Sequence, residues 1–276
     1  MIALAAFVWQ TQAAVFAPPL GVPIRIVTER SQGTGAGRFA VRIERLVRFA
    51  RDGIGYRAEV VLLSADTGTA NDARAMLQAG FAGLAGRTMV FRLDGAGKVV
   101  AVDDRAALWE RFCASIAAAV VAQRVNGTPA EHAALAERMA GPLRALPADR
   151  QQALLGSLVS ALIADAPEAA PGTRPIRLPG ASPFGGPVTL EGTRSVAPAG
   201  DLRRTATRAT AAVPAQDGAA GRVELEIDDD MDPRTGLVAA HTETLRSAIG
   251  EGPAARRTER VTTVTVTLEP GRIWPG

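Results

Sequence analysis

The residues best suited to chemistry are few and widely spread. The chain has two histidines, His132 and His241, and one cysteine, Cys113. The histidines are not in a metal-ligand spacing, and a single thiol can form neither an intrachain disulfide nor a cysteine zinc site. His241 alternates in phase with Leu237, Ala239 and Leu245, which places it on the inner side of a strand. One reading makes it a hydrogen-bonded structural histidine. The rival makes it the base of a hydrolase, working with a carboxylate such as Glu243 or Asp103. No G-x-S-x-G elbow accompanies it. Cys113 falls on an apolar helix face, where thiols are usually inert.

The run EIDDDMDPRTG spaces Asp228, Asp230 and Asp232 like the start of a calcium loop. Pro233 and Ala239 stand where an EF-hand needs glycine and glutamate, so that motif is excluded. A looser calcium site and a solvated acidic hairpin tip are the remaining readings. GTGAGR (Gly33–Arg38) puts Arg38 where the third glycine of a dinucleotide loop belongs, and it joins two strands. It reads as a hairpin turn. Arg45 is different: in RFAVRIERLVRF it points into the face carrying Phe39, Val41, Ile43, Val47 and Phe49. A buried arginine requires a carboxylate or several carbonyls. We expect an ion pair at a sheet end, with an anionic ligand as the alternative, and we take Arg45 and His241 as the ligand-binding candidates.

The elements that must position these residues follow from periodicity. Residues 22–66 alternate with period two and predict antiparallel strands, with Tyr56–Leu63 beginning the second. NDARAMLQAGFAGL predicts a helix with Met76, Leu77, Phe81 and Leu84 on one face and Asn71 as its N-cap. Residues 94–97 are the turn of a hairpin. A helical block spans 104–164, including a capping box at Thr128–Glu131 with Pro129 at the first helical position, and a stop at Gly141–Pro142. Strands return after a proline-rich segment and run to the end, among them RVELEID, GLVAAHTETL and RVTTVTVTLEP.

Prolines at every fourth position from Pro167 to Pro187 deny N–H donors and favour extended backbone. This pattern predicts a segment that forms neither helix nor sheet ladder. Its Ile176, Leu178 and Phe184 call for burial, so 167–187 is expected to be an ordered, extended crossing packed on one domain, with a flexible tether as the alternative. The whole is then an α+β domain over 20–276. A strongly curved, half-barrel-like antiparallel sheet is built from both ends of the chain, with the helical block packed on it.

Composition narrows the function. Hydrophobic residues make up 47% and charged residues 21% of 276, the balance of a folded chain. Aromatics are 4%, the net charge is +3, and the arginines are scattered, so nucleic acid is not an expected partner. The stretch MIALAAFVWQTQAAVFAPPL is apolar and uncharged. Ile2 to Trp9 is too short to span a bilayer but fits a signal-peptide core, with Thr11 and Ala13 as small residues before a cleavage point. Residues 1–17 therefore read as a signal-like segment, and no transmembrane span is expected in the mature chain.

The apolar start, arginine- and threonine-bearing strands, D-x-x-G hairpin, central helices, proline-rich return and terminal D-x-x-T-G-L-V hairpin together resemble uncharacterised exported bacterial proteins of the domain-of-unknown-function class. In outline the pattern is similar to the half-barrel sheets of lipoprotein carriers. The resemblance implies a periplasmic or envelope location and a curved sheet, and it carries no catalytic residues and no cofactor. The leading expectation is a non-enzymatic envelope protein that binds an amphiphilic molecule or an envelope partner. The hydrolase and a structural or assembly factor are the alternatives.

Overall fold

The computed structural model of the chain describes residues 16–34, 37–66, 73–122, 126–163, 170–216, 219–250 and 255–275. The expected N-cap at Asn71, the tip of the Gly33–Arg38 turn and residues 1–15 lie outside them. The first half contains β1 (Ile24–Thr34), β2 (Gly37–Asp52), β3 (Gly55–Asp66), α1 (Ala73–Ala82), β4 (Thr88–Leu93) and β5 (Val99–Val102). Three helices follow: α2 (Arg105–Ala122), α3 (Pro129–Arg144) and α4 (Ala148–Ser160). The second half is β6 (Gly172–Ala181), β7 (Pro187–Ala199), β8 (Leu202–Gln216), β9 (Ala219–Asp232), β10 (Leu237–Ile249) and β11 (Arg256–Leu268). The strands form one open sheet in the order β5-β4-β3-β2-β1-β11-β10-β9-β8-β7-β6. Neighbouring strands are antiparallel, and β1 beside β11 joins the two halves of the chain. The architecture is α+β.

Alternation decides what each face carries. Ile24, Ile26, Val47, Phe49, Ala58, Val60 and Leu62 are buried beneath the helices together with Phe91, Phe112, Ile116, Leu155 and Leu162. Trp109 stacks on Phe112 at 5.0 Å, and its indole N–H donates to the Leu143 carbonyl, tying α2 to α3. The expected capping box is present: the Thr128 hydroxyl accepts from the Glu131 N–H, and the Glu131 carboxylate accepts from the Thr128 N–H at 2.7 Å. The expected stop at Pro142 is not. The helix runs on to Arg144, because a proline in the last turn removes only one bond near an end that already frays.

The proline segment needs a larger correction. Gly172–Ala181 is a strand with a full ladder to β7, in which Pro175 faces Thr193 and Pro179 faces Thr189. In a strand, successive N–H groups point to opposite sides, so a spacing of four keeps every missing donor on one side. On an edge strand that side is the free edge, and the ladder survives. The prolines also deny that edge to another chain. Phe184, in the β6–β7 turn, packs with Leu190, Ala209, Ala211, Val213 and Val223 in a second, smaller cluster. Residues 167–169 lie outside the described residues.

The boundary expected at residue 17 also moves. Phe16 is only 4% exposed, sits edge-on to Phe49 and Tyr56, and its carbonyl accepts the Tyr56 hydroxyl at 2.9 Å. Ala17 donates its N–H to Thr235 in the β9–β10 turn. Phe16 and Ala17 therefore belong to the folded domain. Among the described residues no helix is long and apolar enough to cross a membrane.

Candidate functional site

Cross-strand register brings the inner-face residues into ranks. One rank runs Ile43–Thr28–Val264–His241–Asp229–Thr205 across β2, β1, β11, β10, β9 and β8. The next runs Val41–Arg30–Thr262–Glu243–Ile227–Thr207–Arg194, ending on β7. These ranks floor a cavity of about 700 Å³ roofed by α1, α4 and the turn after α4. Leu77, Phe81, Leu154, Leu158 and Ile163 give it an apolar roof, while arginines, threonines and the acid–base pairs form a polar band on the sheet.

The roof is anchored on both sides. On one side the Arg45 Nε donates to the Leu158 carbonyl at 2.7 Å; on the other the Val238 N–H donates to the Leu162 carbonyl at 2.9 Å. Leu158 is in the last turn of α4, where carbonyls lack helical partners and a cation complements the helix dipole. α1 is held in place by α2: a side chain on Gly80 would run into the Phe112 ring.

Arg45 is 3% exposed, and burial alone pushes its pKa down to about 10, so it stays charged at neutral pH. Its Nη1 donates to the Thr28 hydroxyl at 3.0 Å. The expected ion pair at a sheet end is not found. Arg45 lies within the strand under α4, and among the described residues it is bonded to a carbonyl and a hydroxyl with no carboxylate.

His241 also departs from expectation in detail. A bulge between Val238 and Ala240 shifts the alternation, so His241 shares its face with Val238 and Leu245 and not with Leu237. Its Nδ1 is 2.6 Å from Asp229 Oδ1. That hydrogen bond raises the imidazole pKa above its ordinary value; burial opposes the rise, and the charges of Asp229 and Glu243 add to it. Glu243 accepts from Arg260 at 2.9 Å.

Of the candidate site residues singled out in the sequence, Arg45, His241 and Glu243 line this same cavity. Asp103 does not join them. It pairs with Arg92 at 2.9 Å at the start of α2, because the strand before it ends at the far edge of the sheet. Asp228, Asp230 and Asp232 do not form a calcium-type loop, and of the three only Asp232, at the end of β9, belongs to the hairpin tip, where its carboxylate accepts the Arg234 N–H at 2.9 Å. They alternate along the outer face of β9, where Asp230 pairs with Arg204 at 2.7 Å and Asp228 with Arg208 at 2.8 Å, and Asp232 bonds Arg234. Among the described residues no three His, Cys, Asp or Glu side chains are grouped to hold a metal ion. Cys113 is buried in the core, and burial raises its pKa.

Sequence reasoning missed Asp229 and Gln78. Asp229 was readable: if 228, 230 and 232 share one face, 229 must take the other, with Ile227. Gln78 stands out as a polar residue beside the Leu77–Phe81 face; it is 6% exposed, lines the cavity, and its Oε1 is buried without a hydrogen-bond partner. Compared with known proteins, the chain matches no protein-family model and no curated protein.

Proposed function

We propose that this chain is a non-catalytic protein of the cell envelope that holds an amphiphilic molecule in the cavity between the helices and the sheet. One observation carries the reading: a cavity of about 700 Å³ with mainly apolar side chains from α1 and α4 above it and, on the sheet below, arginines, threonines, His241, Asp229 and Glu243 set among Val41, Ile43, Ile227 and Val264. Small-molecule sites are typically clefts of roughly 300–1,000 Å³ with mostly apolar walls and a few convergent polar groups. An apolar chain lies against Leu77, Phe81, Leu154 and Leu158, and a polar end meets the band. The sheet curves around the helical block in the manner of a half-barrel. Support for this comes from the lining, since β2 and β7, six strand spacings or roughly 29 Å apart on a flat sheet, border the same cavity. The envelope location rests on the apolar start of the chain.

A hydrolase is the second reading, because His241 and Asp229 form an acid–base pair inside a cleft. Among the described residues no serine, threonine or cysteine is hydrogen-bonded to His241, whose partner is Asp229. The hydroxyls of Thr28, Thr207 and Thr262 each accept from an arginine, and Ser157 donates to the Leu154 carbonyl.

Native mass spectrometry of protein purified from the envelope of the producing cell tests the proposal. A retained, solvent-extractable amphiphile is expected, and a broad esterase and peptidase screen should read blank. A turnover that His241→Ala abolishes without changing the melting temperature would replace the carrier with the enzyme.

A further inference from the structure

Arg45 and Gln78 are both almost fully buried and both border the cavity; among the described residues Arg45 has no carboxylate partner and the Gln78 side-chain oxygen has no donor. A guanidinium has five N–H donors, and two of those on Arg45 have partners. The Leu158 carbonyl and the end of α4 supply about half a negative charge, not a whole one. A buried cation without a counter-ion is costly, and so is a buried amide oxygen without a donor. Asp229 is engaged by His241 and Glu243 by Arg260.

We infer that the ligand carries an anionic head group with a hydroxyl or amide N–H beside it: the anion is the counter-ion of Arg45, and the neighbouring donor satisfies Gln78. This rests on the carrier reading above and names the chemical class of its ligand. A hydroxylated fatty-acid carboxylate and the phosphate and glycerol hydroxyl of a lysophospholipid share this chemistry. A neutral lipid or a simple alcohol does not. The apolar roof takes the chain in either case.

The test is calorimetric titration of the delipidated full chain with four probes of equal chain length: 3-hydroxytetradecanoate, tetradecanoate, lysophosphatidic acid and tetradecanol. At least one donor-bearing anion is expected to bind about ten-fold or more tightly than tetradecanol, because hydrogen bonds to a buried charge are the strong ones. Which of the two binds more tightly identifies carboxylate or phosphate as the source. Arg45→Met should abolish the preference for anion over alcohol, and Arg45→Lys should keep most of it. If Arg45→Met fails to fold, the lysine variant and Gln78→Leu carry the test. Gln78→Leu should remove the advantage of the 3-hydroxy acid over the plain acid. Tetradecanol binding as tightly as every anion would overturn this inference and leave the carrier reading standing. Failure of all four probes to bind would overturn both.

Discussion

The two ends of the sheet's inner face are stabilised very differently. Under the helices, Phe49, Leu62, Phe91, Phe112 and Ile116 are fully buried. On β7, β8 and β9 the second cluster is Leu190, Ala209, Ala211, Val213 and Val223, mostly small side chains. The backbone ladder is continuous across both ends, yet apolar burial is concentrated at one. Burial scales with the area removed from water, so the helical end supplies most of the stability. The cavity lies at the boundary, where large side chains stop and the polar band begins. The cavity therefore has the large buried side chains on one side and the sparsely packed strands on the other.

The largest effect should come from the helical end. Phe112→Ala removes a ring that packs against Phe81 and Trp109, and should cost about 3–5 kcal/mol in urea unfolding. Its counterpart, Leu190→Ala, should fall in the lower part of the roughly 2–5 kcal/mol range for buried leucine, because its small neighbours can close in. Amide exchange should show faster opening of β6 and β7 than of β2 and β3. Equal costs and equal protection would erase the contrast between the two ends.

At the boundary, His241→Ala should cost about 1–3 kcal/mol through loss of its hydrogen bond. The raised imidazole pKa fixes the sign of its pH dependence. The pair's contribution is fully present below the unfolded histidine's pKa, near 6.5, and is lost as pH rises through the higher folded value. The stability gap between parent and variant should therefore shrink from pH 6 toward pH 9. A gap that widens would contradict the assignment. The smallest effect belongs to the outer face. Arg204→Gln breaks an exposed pair with Asp230, and its melting curve should overlay the parent's.

How much of this was readable depended on side-chain contrast. Strand β2 announces itself because Val41, Ile43, Val47 and Phe49 alternate with Arg42, Glu44 and Arg48. Strand β8 does not, since Thr205, Thr207, Ala209 and Ala211 face inward while Ala206, Thr210 and Ala212 face outward, leaving no hydrophobic alternation. Strand β6 was hidden by its prolines, which look like ladder breakers until the free edge is known. Arg45, His241 and Glu243 were visible as polar residues in inward phase. Their assembly into one cavity was not, because it needs the β1–β11 pairing, between segments more than 200 residues apart, and the return of α4 across the sheet.

The central claim is that the cavity receives an amphiphile. It is tested most directly by titrating the parent and Ile227→Trp, whose indole fills the floor beside Glu243, with the fluorescent polyene fatty acid cis-parinarate. The parent should bind saturably with one ligand per chain. Ile227→Trp should bind about ten-fold or more weakly at an unchanged melting temperature, the behaviour of a filled pocket rather than a strained core. Equal binding by both proteins, or none by the parent, would contradict the account.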